Sequence, residues 1–122
     1  MTNLLESKTA VITGSNRGIG KRILEEFAIN KSNILACSRI KDENFEKFID
    51  ALSEKHNVKI EPIYFDFENR DEMIKQTKEK ILINDEIDIL VNNASAIDTS
   101  LFEMTKISNI KKIFDINFFN QV

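Results

Sequence analysis

Three glycines, Gly14, Gly18 and Gly20, fall within seven residues, and the chain has no others. They follow a short apolar, β-branched run, Lys8 to Thr13, and they open a segment with helical periodicity. A buried strand that runs straight into a glycine turn and then a helix is a demanding arrangement. Gly14 lets the backbone turn sharply and approach a ligand. Gly18 withholds a Cβ that would meet a pyrophosphate, and Gly20 permits close packing of helix on strand. The helix that follows presents free N–H groups and the positive end of its dipole to phosphate. Other turns in the chain manage without glycine, so ordinary turn use is a poor explanation for the cluster. The strand–turn–helix context predicts dinucleotide binding, against an unliganded turn as the alternative.

The rest of the chain repeats an alternation of short apolar runs and helical segments. Gly18 to Asn30 carries Ile19, Ile23, Leu24 and Phe27 at helical spacing. Asn33 to Ser38 reads as a second buried strand. Asp42 to Glu54 is a helix with Phe45, Phe48, Ile49 and Leu52 on one face. Lys59 to Phe67 reads as a third strand, weakened by Pro62, which cannot donate to a ladder. Asn69, as a cap, starts a helix to about Ile83. Asp88 to Asn92 is a fourth strand and Ala94 to Glu103 a loop. A last helix begins near Lys106, with Ile110, Ile113, Phe114 and Ile116 to Phe118 on its apolar side. Strands alternating with helices imply right-handed crossovers and a parallel sheet. Apolar runs without period-two alternation suit strands covered on both faces. The expected fold is therefore α/β with a parallel sheet, and the glycine turn after its first strand matches it to a Rossmann-type doubly wound sheet, whose first four strands run in the order 3-2-1-4.

Composition closes off other classes. Seventeen basic against twenty acidic residues give a net charge of −3, which carries no footprint for nucleic acid or an anionic membrane. One cysteine excludes an internal disulfide and points to a reducing, cytoplasmic setting. No apolar run approaches the roughly 18 residues of a membrane span. Met1 to Glu6 does not have the basic-then-apolar pattern of a secretory signal. One histidine and one cysteine do not make a metal site, so none is expected. Cys37 reads as a small core residue, His56 as a surface residue, and Lys106, Lys111 and Lys112 as a solvated helix face.

The spacing Thr13-Gly14-Ser15-Asn16-Arg17-Gly18-Ile19-Gly20 resembles the cofactor turn of the short-chain dehydrogenases/reductases, in their non-extended branch. Three further positions agree. Asp66 follows the third strand, where the family's aspartate holds the adenine ring. Asn92-Asn93-Ala94-Ser95 is similar to the family's Asn-Asn-Ala-Gly element, with Ser95 replacing the glycine. Asn117 falls where the family has a catalytic asparagine in its fourth helix. The alternative for Asn117 alone is helix packing or capping. The likeness covers nearly the whole chain, and the nearest relatives by look are the 3-oxoacyl carrier-protein reductases.

The resemblance implies hydride transfer between a nicotinamide cofactor and a small carbonyl or alcohol substrate, and a homo-oligomer for a longer form. It assigns the pyrophosphate to Gly14, Ser15, Asn16, Arg17, Gly18, Ile19 and Gly20. It assigns the adenosine phosphate to Ser38 and Arg39, the adenine to Asp66 and Phe67, and the adjoining ribose region to Asn93 and Ala94. A carboxylate about 20 residues beyond the glycines would favour NAD(H) by binding the ribose 2′-hydroxyl. The second strand ends instead in Cys37-Ser38-Arg39, with no carboxylate before Asp42. Arg39, with Arg17 nearby, can pair with a 2′-phosphate, so NADP(H) is expected over NAD(H). The alternative is that both arginines are merely solvated.

The family's proton chemistry needs a tyrosine with a lysine four residues later, and a serine. The one tyrosine is Tyr64, in the third strand, and Glu68 lies four residues on. Ser95 and Ser100 come too early for the serine. Residues Ile116 to Val122 carry no helix-stop signal, so the chain reads as ending in mid-helix. The expectation is that residues 1–122 form part of one NAD(P)-binding domain, a piece without turnover of its own and with an exposed fourth strand. The competing readings are a non-catalytic dinucleotide-binding module and an inactive gene remnant.

Overall fold

The computed structural model describes residues 3–84, 86–95, 104–118 and 120. Strands β1 (Thr9–Ile12), β2 (Asn33–Ser38), β3 (Ile60–Tyr64) and β4 (Ile89–Val91) form one parallel sheet in the order β3-β2-β1-β4. Helices α1 (Gly18–Ile29), α2 (Glu43–His56), α3 (Arg70–Gln76) and α4 (Ile107–Asn117) alternate with the strands. The sheet is the first four strands of a Rossmann-type α/β fold, as its pattern of apolar runs predicts.

Alternation within each strand builds a core on both faces. Ala10, Ile12, Ile34 and Ala36 face one way and meet Leu24 and Ala28 of α1 and Phe45 and Ile49 of α2. Val11, Leu35, Cys37 and Ile63 face the other way with Phe65, and Met73 of α3 packs against them. Both strand faces are apolar, so the sequence shows runs rather than a polar–apolar alternation. Asp42 caps α2 by accepting from Asn44 N–H at 2.8 Å, and Asn57 ends that helix in the left-handed region. Asn69 caps α3 through Glu72 N–H at 3.1 Å.

Most boundaries shift by no more than one or two residues from the sequence reading, and three differences are larger. The third strand ends at Tyr64 rather than Phe67. Phe65 N–H still reaches Ser38 O at 3.1 Å, but Ser38 is the last residue of β2, and its ladder has no partner beyond that point. The helix expected to run to Ile83 is α3 followed by a π-helical turn, Thr77–Ile81. There Thr77 Oγ1 donates to Met73 O at 2.7 Å, a back-bond that disturbs a regular helix. Finally, α4 ends at Asn117, with Phe118 leaving helical geometry at φ −134° and ψ −69°. The expected continuation through residues 119, 121 and 122 lies outside the described residues, as does the loop at 96–103 with Ser100. Strand β4 sits at the sheet edge with Leu90 exposed, and Ile107 and Phe114 of α4 and Phe118 after it are exposed as well, as the sequence predicts.

Candidate functional site

A cleft of about 720 Å³ opens at the carboxyl ends of the strands. The chain leaves β1 for β2 on one side and reaches β4 on the other, so the cleft lies at the switch point of the sheet. Its walls are Gly14 and Asn16 to Ile19 from the glycine turn, Cys37 to Ile40 after β2, Phe65 to Glu68 after β3, and Asn93 to Ser95 after β4. Lys112 and Ile116 of α4 complete it.

The glycine turn is held from below. Gly14 and Gly18 both take positive φ, +61° and +57°, a region costly for other residues. A Cβ on Gly18 would meet nothing within 4 Å, so this position is open to the cleft and its demand is conformational. Gly20 is the crowded one. A Cβ there would overlap the Gly14 carbonyl and lie 2.5 Å from Asn93 Nδ2. Its close approach is therefore to the turn and to Asn93, not to the side chains of the strand. Arg17 occupies the cap position of α1 in extended backbone, and among the described residues no side chain caps that end. The first turn, Gly18 to Lys21, carries no acid.

A buried hydroxyl couples this turn to the loop after β4. Thr13 Oγ1 accepts from Asn93 N–H and from Ala94 N–H, each at 3.0 Å, and donates to Val91 O at 3.3 Å. Asn93 Nδ2 donates in turn to Gly14 O at 3.2 Å. Sequence reading placed Thr13 in the motif without seeing this role. Ser15 was expected at the cofactor, but its side chain is fully buried and donates to Cys37 O at 3.0 Å. Neither Ser15 nor Gly20 lines the cleft. Both act on the shape of the turn.

Ser38 is 4% exposed, and among the described residues its Oγ has no hydrogen-bond partner. A buried hydroxyl left unpaired is costly, and this one belongs to a cleft-lining residue. Arg39 beside it and Arg17 across the turn are both exposed and both line the cleft. Asp66 shapes the opposite side, its Oδ1 accepting from Glu68 N–H at 2.9 Å. Phe67 packs edge-on against Phe65, with ring centres 5.1 Å apart.

A model of the short chain dehydrogenase family matches residues 8–122. The chain belongs to the short-chain dehydrogenase/reductase family. It is 28% identical to dehydrogenase/reductase SDR family member 7B of Xenopus laevis, over 97% of this chain and 38% of that protein. It is 32% identical to the 3-oxoacyl-(acyl-carrier-protein) reductase FabG of Buchnera aphidicola, over 90% of this chain and 43% of that one. A solved L-sorbose reductase from Gluconobacter frateurii, complexed with NADPH and L-sorbose, shares the fold with a TM-score of 0.85. It is 24% identical, and the match covers 99% of this chain and 46% of that one. The chain spans less than half the length of these relatives.

Two further residues stand apart from the residues that line the cleft. Asn117 is exposed on the last turn of α4, one residue after the cleft-lining Ile116, and does not itself line the cleft. Tyr64 lies on β3 and donates to Glu46 Oε1 at 3.1 Å. Burial, reinforced by the hydrogen bond and the charge of Glu46, pushes its phenol up to about 12. A tyrosine meant to exchange a proton near neutrality needs the opposite shift. Lys112, expected on a solvated face, is exposed and also pairs with Glu68 at 3.3 Å across the cleft mouth. Its spacing among other helix lysines carried no sign of this tertiary contact.

Cys37 is buried near the end of β2, and burial pushes its thiol from 9.0 up to about 12. The native thiol should therefore resist a thiolate-specific disulfide reagent at pH 8 and react once urea unfolds the chain. Because the folded value is raised, the contribution is fully present below pH 9 and is lost as pH rises toward 12. Urea midpoints should fall across that interval, and a Cys37→Ala variant should show a smaller fall. Rapid native labelling at pH 8 would contradict the burial argument.

Proposed function

We propose that this chain is the cofactor-binding part of an NADP(H)-dependent oxidoreductase, acting between a carbonyl and a hydroxyl substrate. The observation that carries the reading is the cleft itself, lined both by a glycine turn whose Gly18 leaves open space and by Ser38, whose buried Oγ has no partner among the described residues. These residues fit a dinucleotide. Gly14, Asn16, Arg17, Gly18 and Ile19 would hold the pyrophosphate, with Ser15 and Gly20 setting the shape of their turn. Ser38 and Arg39 would hold the adenosine phosphate, Asp66 and Phe67 the adenine, and Asn93 and Ala94 the adjoining ribose region. When bound, the nicotinamide accepts or supplies the hydride. The protein's part is to orient the dinucleotide and keep water from that cleft wall.

The absence of a carboxylate between Ser38 and Asp42 and the presence of Arg39 and Arg17 support NADP(H) over NAD(H). The full chain should bind NADPH at least about tenfold more tightly than NADH, since a charge-assisted pair contributes roughly 1.5–3 kcal/mol. Arg39→Ala should erase most of that ratio. Titration calorimetry reads both, and equal affinity or tighter NADH would overturn the cofactor assignment.

Asn117 is proposed as the single member of the family's catalytic set in this sequence. Because Tyr64 is committed to Glu46 and has Glu68 four residues on, these 122 residues should show no carbonyl reduction with NADPH. That same pairing favours a second reading, a dinucleotide-binding module without proton chemistry. Turnover by the purified chain would exclude the module. Tight NADPH binding by a stable monomer without turnover favours it. Among the described residues no helix is long and apolar enough to cross a membrane. A lone buried thiol suits a reducing compartment, and we place the protein in the cytoplasm, as a homo-oligomer when part of a longer form.

A further inference from the structure

We propose that Asn120 is a positioning residue for the adenine side of the cleft, acting through the turn at Asp66 and Phe67. The proposal rests on the dinucleotide reading above and names what holds one wall of that site.

The turn after β3 is closed by its own bonds. Glu68 N–H donates to Asp66 Oδ1 and Asn69 N–H to Asp66 O, both at 2.9 Å. These bonds set its local shape but not its distance from α4, whose Ile116 forms the facing wall. Side chains of two described residues, Lys112 on α4 and Asn120 beyond its end, reach across to the turn. The Lys112–Glu68 pair, at 3.3 Å, has both side chains about half exposed, so water screens it and it holds weakly. Asn120 is built differently. Its Nδ2 donates to Phe67 O at 2.5 Å, and its Oδ1 accepts from Arg70 Nη1 at 3.0 Å. A carbonyl needs a donor and a guanidinium needs an acceptor, so only one orientation of the amide satisfies both. One side chain thus grips the turn at two points, just after Asp66 and one residue past Asn69.

The ring of Phe67 is already fixed from below by Phe65. With its carbonyl held by Asn120, Phe67 is anchored on both sides, and the neighbouring Asp66 carboxylate is anchored with it. One oxygen of that carboxylate takes Glu68 N–H, and a carboxylate keeps a second oxygen for another donor. A nucleobase bearing an exocyclic amine supplies one. Asn120 therefore sets how well that amine is met.

The test compares NADPH with its reduced hypoxanthine analogue, which lacks the exocyclic amine, by titration against the full 122-residue chain. The native chain should prefer NADPH by about tenfold, the scale of one hydrogen bond to a charged group. In Asn120→Ala the preference should fall to about twofold. Asn120→Asp, which keeps an acceptor for Arg70 but offers Phe67 O no donor, should show the same fall. A general loss of folded protein weakens both ligands equally and leaves the ratio unchanged, so the ratio separates positioning from a structural defect. An Asn120→Ala ratio equal to the native one overturns the proposal, as does native NADPH binding without any adenine preference. A native chain that binds neither ligand overturns the dinucleotide reading and this inference with it.

Discussion

Gly20→Ala should destabilise the protein by about 3 kcal/mol or more, where Gly18→Ala should cost only about 1 kcal/mol. The two glycines sit in one turn and differ in what surrounds them. A methyl on Gly20 overlaps the Gly14 carbonyl and lies against Asn93 Nδ2, so it enters the hydrogen bond that joins those groups. Neither obstacle can yield cheaply. Gly14 is itself confined, since a Cβ on it would lie 3.1 Å from Ala94 Cα, and its φ is positive. Asn93 is pinned through its backbone N–H to Thr13. Relief of the clash must move α1 away from the turn, and Leu24 and Ala28 of that helix are wholly buried in the core. Gly18 has open space instead, and alanine there pays only for positive φ. Urea denaturation should show the Gly20 variant with a much lower midpoint or no cooperative transition. The Gly18 variant should keep its transition and lose NADPH affinity, because its methyl would stand in the cleft. Equal stability of the two variants would contradict the packing argument.

The alternation of strands and helices was legible in the chain because its causes are local, and the order of the strands followed from matching the glycine turn to a doubly wound sheet. Each apolar run is short, each helical segment has one apolar face, and βαβ crossovers have one hand. Helix starts were legible where a side chain does the capping, as at Asp42 and Asn69. The errors come from partners far away in sequence. Phe65 to Phe67 looks like strand by composition, yet β2 offers no ladder beyond Ser38. The break after Gln76 coincides with a threonine hydroxyl bonded to a carbonyl within its own helix.

The site shows the same division. The glycine cluster marks the turn, and the lack of a carboxylate between Ser38 and Asp42 is equally plain, both visible as residue types at fixed spacing. The direction a side chain takes is not visible in that way. Ser15 and Ser38 are both serines beside the turn, but Ser15 Oγ goes inward to Cys37 O, while Ser38 Oγ is buried without a partner among the described residues. Lys112 of α4 and Asn120 beyond its end meet the turn after β3 only through tertiary approach. No spacing rule along one helix reports that approach.

Thr13→Val should cost about 2–4 kcal/mol, although valine keeps the volume and branching of threonine. The side chain is 3% exposed, so the change is confined to the hydroxyl. That oxygen accepts two backbone N–H groups, from Asn93 and Ala94, and donates to Val91 O. With valine, both donors lose their acceptor beside a methyl group that can offer none. Leaving a buried donor unpaired costs roughly 1–3 kcal/mol, and partial access of water to Asn93 and Ala94 keeps the sum below twice the upper value. Thr13→Ser keeps the oxygen and gives up a methyl, so it should lose about 1 kcal/mol. Equilibrium unfolding in urea separates these two outcomes, and a serine variant as unstable as the valine one would point to packing rather than hydrogen bonding. The consequence reaches the cleft. Once the loop after β4 is released from β1, Asn93 Nδ2 no longer meets Gly14 O in a fixed position. The glycine turn then loses its support from the β4 side while its tie to Cys37 O persists through Ser15. NADPH affinity should therefore fall in Thr13→Val even under conditions where the variant remains folded, and stay near native in Thr13→Ser. Native affinity in folded Thr13→Val protein would show that the turn holds its shape without the threonine.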